Sequence, residues 1–146
     1  MAFFKNYDPG RIVIVIAGQQ IQGIADGTFV KAARAEKSYK TKYGSSGDGV
    51  RIRNRNRSGI ITLTLLNESP SNDYLSALVI ADEAALGASA SVGPSSITDL
   101  NGTSLARAAF SWVMQPSDLE YGDDSPNCTW EIECSELIIF NGGALV

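Results

Sequence analysis

Gly59-Ile60-Ile61-Thr62-Leu63-Thr64-Leu65-Leu66 is the stretch that decides the fold of this 146-residue chain. On an extended backbone Ile61, Leu63 and Leu65 fall on one side and Thr62 and Thr64 on the other. That two-residue period is the mark of a strand with one dry face. A helix start follows at once. Ser69 suits an N-cap, Pro70 the first helical position, and Asp73 the first turn, where a negative charge favours the helix dipole. Leu75, Leu78, Val79 and Asp82 are spaced i, i+3, i+4, i+7, so three apolar residues form a core stripe. Gly87 stands where the helix is expected to stop.

Toward the N-terminus, Arg11 to Ile16 reads as a buried strand rich in β-branched residues. Ile21 to Glu36 reads as strand, Asp26-Gly27 turn and second strand. Tyr39 to Gly49 is polar, with Gly44-Ser45-Ser46-Gly47-Asp48-Gly49 at its heart, and is expected to be a mobile loop. Val50 to Arg57 alternates, with Arg51, Arg53, Arg55 and Arg57 on one parity. Toward the C-terminus, Ala88 to Ser96 reads as a connection or weak strand. Ile97 to Leu100 meets Asn101-Gly102, a strong hairpin signal, and the returning arm runs from Thr103 to Met114. Gln115-Pro116 ends that arm, and Ser117 to Asn127 is an acidic loop. Trp130, Ile132 and Cys134 then alternate with Thr129, Glu131 and Glu133, a strand with one dry and one wet face. Leu137 to Phe140 makes a last short strand. Seven to nine strands and one helix predict a mainly β fold, a β-sandwich or barrel with one flanking α-helix. No internal repeat or linker divides the chain, so residues 1–146 are expected to form one domain, with an extended arm or loop around 40–57.

Composition narrows the chemistry. Apolar residues make up 44% and charged residues 19%, the balance of a chain that buries a core. The longest aliphatic run, Ile12 to Ala17, is far short of the ~20 residues of a membrane helix, and Met1-Ala2-Phe3-Phe4-Lys5 lacks the features of a signal peptide. Histidine is absent, which removes the commonest general base and metal ligand. Cys128 and Cys134 sit roughly 20 Å apart on an extended strand, too far for a disulfide, and read as buried free thiols of a reducing compartment. No carboxylate pair, nucleophile elbow or phosphate-binding loop stands out. The expectation is a protein that is not an enzyme and holds no cofactor or metal.

The net charge of −4 hides a polarity. Residues 1–58 carry eleven of the twelve basic residues against four acids, net +7; residues 59–146 carry Arg107 against twelve acids, net −11. Such a chain can bind copies of itself head to tail. On a regular strand Arg51, Arg53, Arg55 and Arg57 would share one face and repel one another unless anions lie near. They have three possible fates: phosphates of nucleic acid, the acidic loop of another copy, or solvent. Few exposed aromatics are expected among the arginines and the chain is acidic overall, which argues against nucleic acid.

Two stretches carry a resemblance. Residues 57–79, in which the Thr-rich strand runs into Ser69-Pro70-Ser71-Asn72-Asp73 and the helix, are similar to a signature of tail tube proteins of contractile-tailed bacteriophages. The series Asp99-Leu100-Asn101-Gly102, Ala109-Phe110-Ser111-Trp112-Val113, Pro116-Ser117-Asp118, Trp130-Glu131-Ile132-Glu133-Cys134 and Gly142-Gly143 resembles that family's C-terminal half. The resemblance covers most of residues 48–146. It implies a β-sandwich or barrel with one helix, no enzymatic activity, and hexameric rings stacked into a hollow tube. It further implies a sheath outside, terminator and baseplate proteins at the tube ends, and a genome that transits the lumen without specific binding. The place implied is the virion tail, assembled in the cytoplasm of a bacterial host, with no membrane anchor.

Physics adds the site expectations. Open sheet edges are a hazard that ring closure converts into an assembly device. A DNA conduit must not grip phosphates. Lys40, Lys42, Arg51, Arg53, Arg55 and Arg57, opposed by Asp118, Glu120, Asp123 and Asp124, are therefore the expected contacts between rings or subunits. Glu131, Glu133 and Glu136 are the lumen candidates. Two other functions compete: a β-barrel nucleic-acid-binding module using the Arg51–Arg57 ladder, and the tube of a phage-derived contractile injection apparatus.

Overall fold

The computed structural model describes residues 4–85 and 91–143. A single turn of 3-10 helix, Pro9–Arg11, leads into β1 (Ile12–Ile16), β2 (Gln19–Gln20), β3 (Val30–Arg34), β4 (Tyr39–Tyr43), β5 (Gly49–Arg53) and β6 (Gly59–Leu66). Helix α1 (Ser71–Ala84) follows, then β7 (Gly93–Asp99), β8 (Leu105–Val113), β9 (Asn127–Cys134) and β10 (Ile138–Phe140). The mainly β architecture with one flanking helix is what the sequence predicts.

Eight strands form one antiparallel sheet in the order β2-β1-β7-β8-β9-β6-β3, with β10 beside the first part of β8. Val30 and Ala32 of β3, at one end of that order, line the same cavity as Ile97 of β7, Ala106 of β8 and Ile139 of β10. The sheet therefore curls on itself and holds the core inside the curl. Strand β6 is flanked on both sides, paired with β9 at eight positions and with β3 on its other edge. Ile61, Leu63 and Leu65 are fully buried there, each contributing about 1.5–3 kcal/mol. Trp130, Ile132 and Cys134 of β9 meet them in the same core, as their alternation predicts.

The helix begins one residue later than the sequence implies, at Ser71 with Pro70 in the N-cap position. Ser69 Oγ accepts from the Ser71 backbone N–H at 3.2 Å, and Pro70 already has helical angles. Leu75 and Val79 are buried and Leu78 packs beside them. The Tyr74 hydroxyl donates to the carbonyls of Ile16 and Ala17, tying the helix to the end of β1. Ala17 and Gly18 form the two-residue turn between β1 and β2, both at positive φ, the conformation whose twist suits a tight hairpin. The expected stop at Gly87 lies outside the described residues.

Four expectations are corrected. Tyr39 to Gly49 is not a mobile loop: β4 and β5 make a two-stranded hairpin, and only 44–48 forms its turn, closed by Gly44 N–H donating to Asp48 O at 2.8 Å. Asp26-Gly27 does not join two paired strands. Ile24 bridges Leu65 and Val30 pairs with Leu63, so both sides of the turn run along β6 and Asp26–Thr28 is an outward excursion of one sheet edge. The strand carrying the arginines ends at Arg53 instead of Arg57. Ten strands are present among the described residues, more than the seven to nine expected. The Asn101-Gly102 hairpin forms between β7 and β8, though its loop spans 100–103 because Asp99 N–H reaches Ser104 O.

Candidate assembly interface

The arginine ladder breaks at Asn54 because asparagine offers the backbone an alternative to the strand. Asn54 Oδ1 accepts from Asn56 N–H at 3.0 Å and Asn56 Oδ1 from Ser58 N–H at 3.1 Å, each side chain bonding its own backbone two residues on. The Asn54 and Asn56 amides both donate to Glu36 Oε2, at 2.7 and 3.3 Å, which fastens the hairpin root. Arg53, Arg55 and Arg57 nevertheless line one shallow concavity with Ser135 and Glu136. Within it Arg57 Nη1 reaches Glu136 Oε1 at 3.4 Å, both side chains well exposed. A pair so exposed contributes at most about 1 kcal/mol. Leu137 completes the root: its N–H donates to Arg57 O and its carbonyl accepts from Arg34 Nε, both at 2.9 Å.

On the hairpin, cross-strand register divides the side chains. Tyr39, Thr41, Tyr43, Arg51 and Arg53 share one face; Lys40, Lys42, Val50 and Ile52 share the other. Arg51 lies over the Tyr39 ring, 4.0 Å from its centroid, a cation–π contact. Tyr43 is also exposed, so the expectation that few aromatics accompany the arginines is wrong. Nothing in local periodicity reveals these tyrosines as neighbours of arginines eight and more residues away. Every residue of β4 and β5 is exposed.

The acidic residues stand elsewhere. Asp118, Glu120, Asp123 and Asp124 are all exposed in the β8–β9 loop. Ser125 Oγ in that loop donates to the Glu68 carboxylate just before α1. Asp118 and Glu120 line a cleft with Thr129 and Glu131, so Glu131 belongs to the acidic cluster. Glu133 is half-buried on the same face of β9, opposite Ile60 of β6 and Trp112 of β8. Glu136 is engaged by Arg57. The three lumen candidates thus have three different surroundings. Cys128 and Cys134 are both free, as expected. Among the described residues no three His, Cys, Asp or Glu side chains converge as metal ligands.

Sheet register fixes how the two charged regions lie. The hairpin leaves from the end of the β6–β9 pair where Gly59 faces Cys134, and the acidic loop enters β9 at the other end, where Leu66 faces Asn127. Eight residues of strand separate them, on the order of 25 Å. The chain is an electrical dipole with an exposed cationic projection at one end and carboxylates at the other.

No protein-family model matches the sequence, and no curated protein matches it. Solved structures do share the fold. A chain of the anti-feeding prophage cap, the cap that terminates its tube, superposes with a TM-score of 0.65 at 11% identity, over 96% of this chain and 94% of that one. A chain of the sheath/tube terminator of an extracellular contractile injection system, PVC, in its extended state, superposes with a TM-score of 0.63 at 14% identity, over 96% of this chain and 100% of that one. At these identities the likeness is one of fold, and the fold is one used in tube-terminating assemblies of contractile systems.

Proposed function

We propose that this protein is a structural, non-enzymatic subunit of the tube of a contractile tail or injection apparatus, built as one domain with residues 40–57 as its arm. Copies form rings, hexameric as the sequence resemblance implies, and rings stack by seating the cationic hairpin of one copy against the acidic loop of a copy in the next. The observation that carries this reading is the opposed placement of the two charged regions along β6–β9, on a fold shared over nearly its whole length with chains of tube-terminating assemblies. A repeating subunit needs complementary upper and lower surfaces, and this chain carries both. Sheath outside, terminator and baseplate at the tube ends, and a cargo passing within are the partners of that role. Genomic DNA and a protein cargo are both compatible with it, as are a virion tail and an injection apparatus assembled in a bacterial cytoplasm. In the tube, Glu131 and Glu133 would turn their charge to the bore, where an anionic wall does not retain DNA.

A second position, the terminating ring, is favoured by the names of the structures that share the fold. A nucleic-acid-binding module is favoured by Tyr39 and Tyr43 beside Arg51 and Arg53. Electron microscopy and sedimentation of the purified protein separate the three. Tubes that lengthen with concentration are expected. Rings that stop at one layer indicate the terminator, and a monomer that binds oligonucleotides in a salt-dependent way indicates the module.

A further inference from the structure

Two apolar faces of this chain have no cover among the described residues. The first lies on the outside of the sheet. Register puts Val13, Thr98, Leu105 and Phe140 in one row across β1, β7, β8 and β10, and Val15, Ser96, Arg107 and Ile138 in the next. These rows point away from the core, and Ile138 and Phe140 are 40% and 59% exposed. An antiparallel sheet with a wet face ordinarily carries polar side chains there. Here five of the eight side chains in the two rows are aliphatic or aromatic, two are the small hydroxyls Ser96 and Thr98, and one is a cation. Arg107 is the only basic residue of 59–146, and among the described residues its side chain has no hydrogen bond or ion pair.

The second face is on α1. Asp73, Ala77, Ile80 and Ala84 follow the i, i+4, i+7, i+11 spacing of one stripe, and all four are exposed, Ile80 at 67%. The helix is therefore apolar on both sides, and its own core takes only the Leu75–Val79 side. An exposed apolar stripe beginning with an acid matches an exposed apolar sheet face with a lone base in its middle.

We propose that these two faces are the lateral contact of the ring: the Asp73–Ala84 stripe of each copy seats on the β1–β7–β8–β10 face of its neighbour, with Asp73 against Arg107. A second copy is the occupant because one head-to-tail contact covers both faces in every subunit, and a closed ring leaves neither bare. Pairing like face with like face would leave the other exposed and set two Arg107 or two Asp73 side by side. Ala77 and Ala84 keep the stripe low, so Ile80 alone projects. This inference rests on the ring-forming reading and adds to it surfaces distinct from the charged ends that stack.

The test is a charge swap read by sedimentation velocity. Arg107→Asp and Asp73→Arg, each checked as folded by circular dichroism and thermal melting, are expected to lose the ring boundary. The double variant Arg107→Asp/Asp73→Arg is expected to regain it. Ile80→Glu tests the apolar part and should also abolish rings. Normal rings in all three single variants, or folded singles whose double variant stays monomeric, overturn the contact while leaving the tube reading intact. A wild-type protein that is monomeric at every concentration overturns both.

Discussion

The indole N–H of Trp130 donates to the side-chain oxygen of Asn72 at 3.0 Å, fastening the middle of β9 to the first turn of α1. The Asn72 amide in turn donates to the carbonyls of Leu66 and Asn67, at 2.9 and 3.2 Å, so one side chain joins strand, turn and helix. Trp130 is 2% exposed. Trp130→Ala should cost about 3–5 kcal/mol through the cavity it leaves. Asn72→Ala should cost about 1–3 kcal/mol by stranding a buried indole N–H. Urea unfolding measures both, and an unchanged midpoint in either variant contradicts the contact.

Gly59 is fixed by space. A Cβ there would lie 2.5 Å from Leu137 Cδ2 and 2.7 Å from Ala33 O. The glycine lets β6 pass beside the buried Leu137 at the hairpin root. Gly59→Ala should destabilise by about 1–3 kcal/mol, since carbonyl and core leucine must both yield. Gly122→Ala in the acidic loop meets nothing within 4 Å, and its stability should stay within about 0.5 kcal/mol of wild type. Equal melting temperatures for the two variants would refute the steric account.

Burial pushes the Cys134 thiol up to about 11, and the neighbouring Glu133 carboxylate adds to the rise. Above its ordinary value of 9.0 the unfolded chain has lost this proton while the folded chain keeps it. Stability from the neutral buried thiol is therefore fully present below pH 9 and is lost as pH rises to about 11. Cys134→Ala should show a shallower decline over that window than wild type, even if its plateau is lower. Identical alkaline slopes would contradict the assignment. Thiol reagents on the folded protein should label half-buried Cys128 well before Cys134.

Among the described residues Arg53 and Arg55 form no ion pair, whereas Arg57 pairs with Glu136. Arg53→Glu/Arg55→Glu should weaken ring stacking and leave the thermal midpoint of the monomer nearly unchanged. Raising salt should disperse wild-type stacks in the same direction, because exposed charge pairs are screened beyond about 10 Å at 0.1 M. Normal polymerisation of the double variant would remove the hairpin from the stacking contact.

Residues that face the core were readable, and residues that face one another across long loops were not. Strand β6 shows its period in sequence because β3 and β9 enclose it and only one side of it is dry. Helix α1 announces itself at Ser69-Pro70 because capping is local chemistry. Strand β5 shows its alternation at Val50 to Arg53, but its partner β4 does not stand out: all five of its residues are exposed, so no dry face marks it, and the glycines of the shared turn give the stretch the look of a loop. The edge excursion at Asp26-Gly27 looked like a hairpin because local turn chemistry carries no trace of its partner, β6. The Arg57–Glu136 pair spans 79 residues and exists only through the fold. The two charge blocks were plain in sequence, but their placement at opposite ends of β6–β9 depends on strand register.

A high-resolution reconstruction of the assembled polymer tests the central claim most directly. The Arg53 and Arg55 guanidiniums of one ring are predicted to lie within ion-pairing distance of the Asp118–Asp124 carboxylates of the next ring. Arginines found in open solvent or lining the bore, with the acidic loops facing no hairpin, would contradict it.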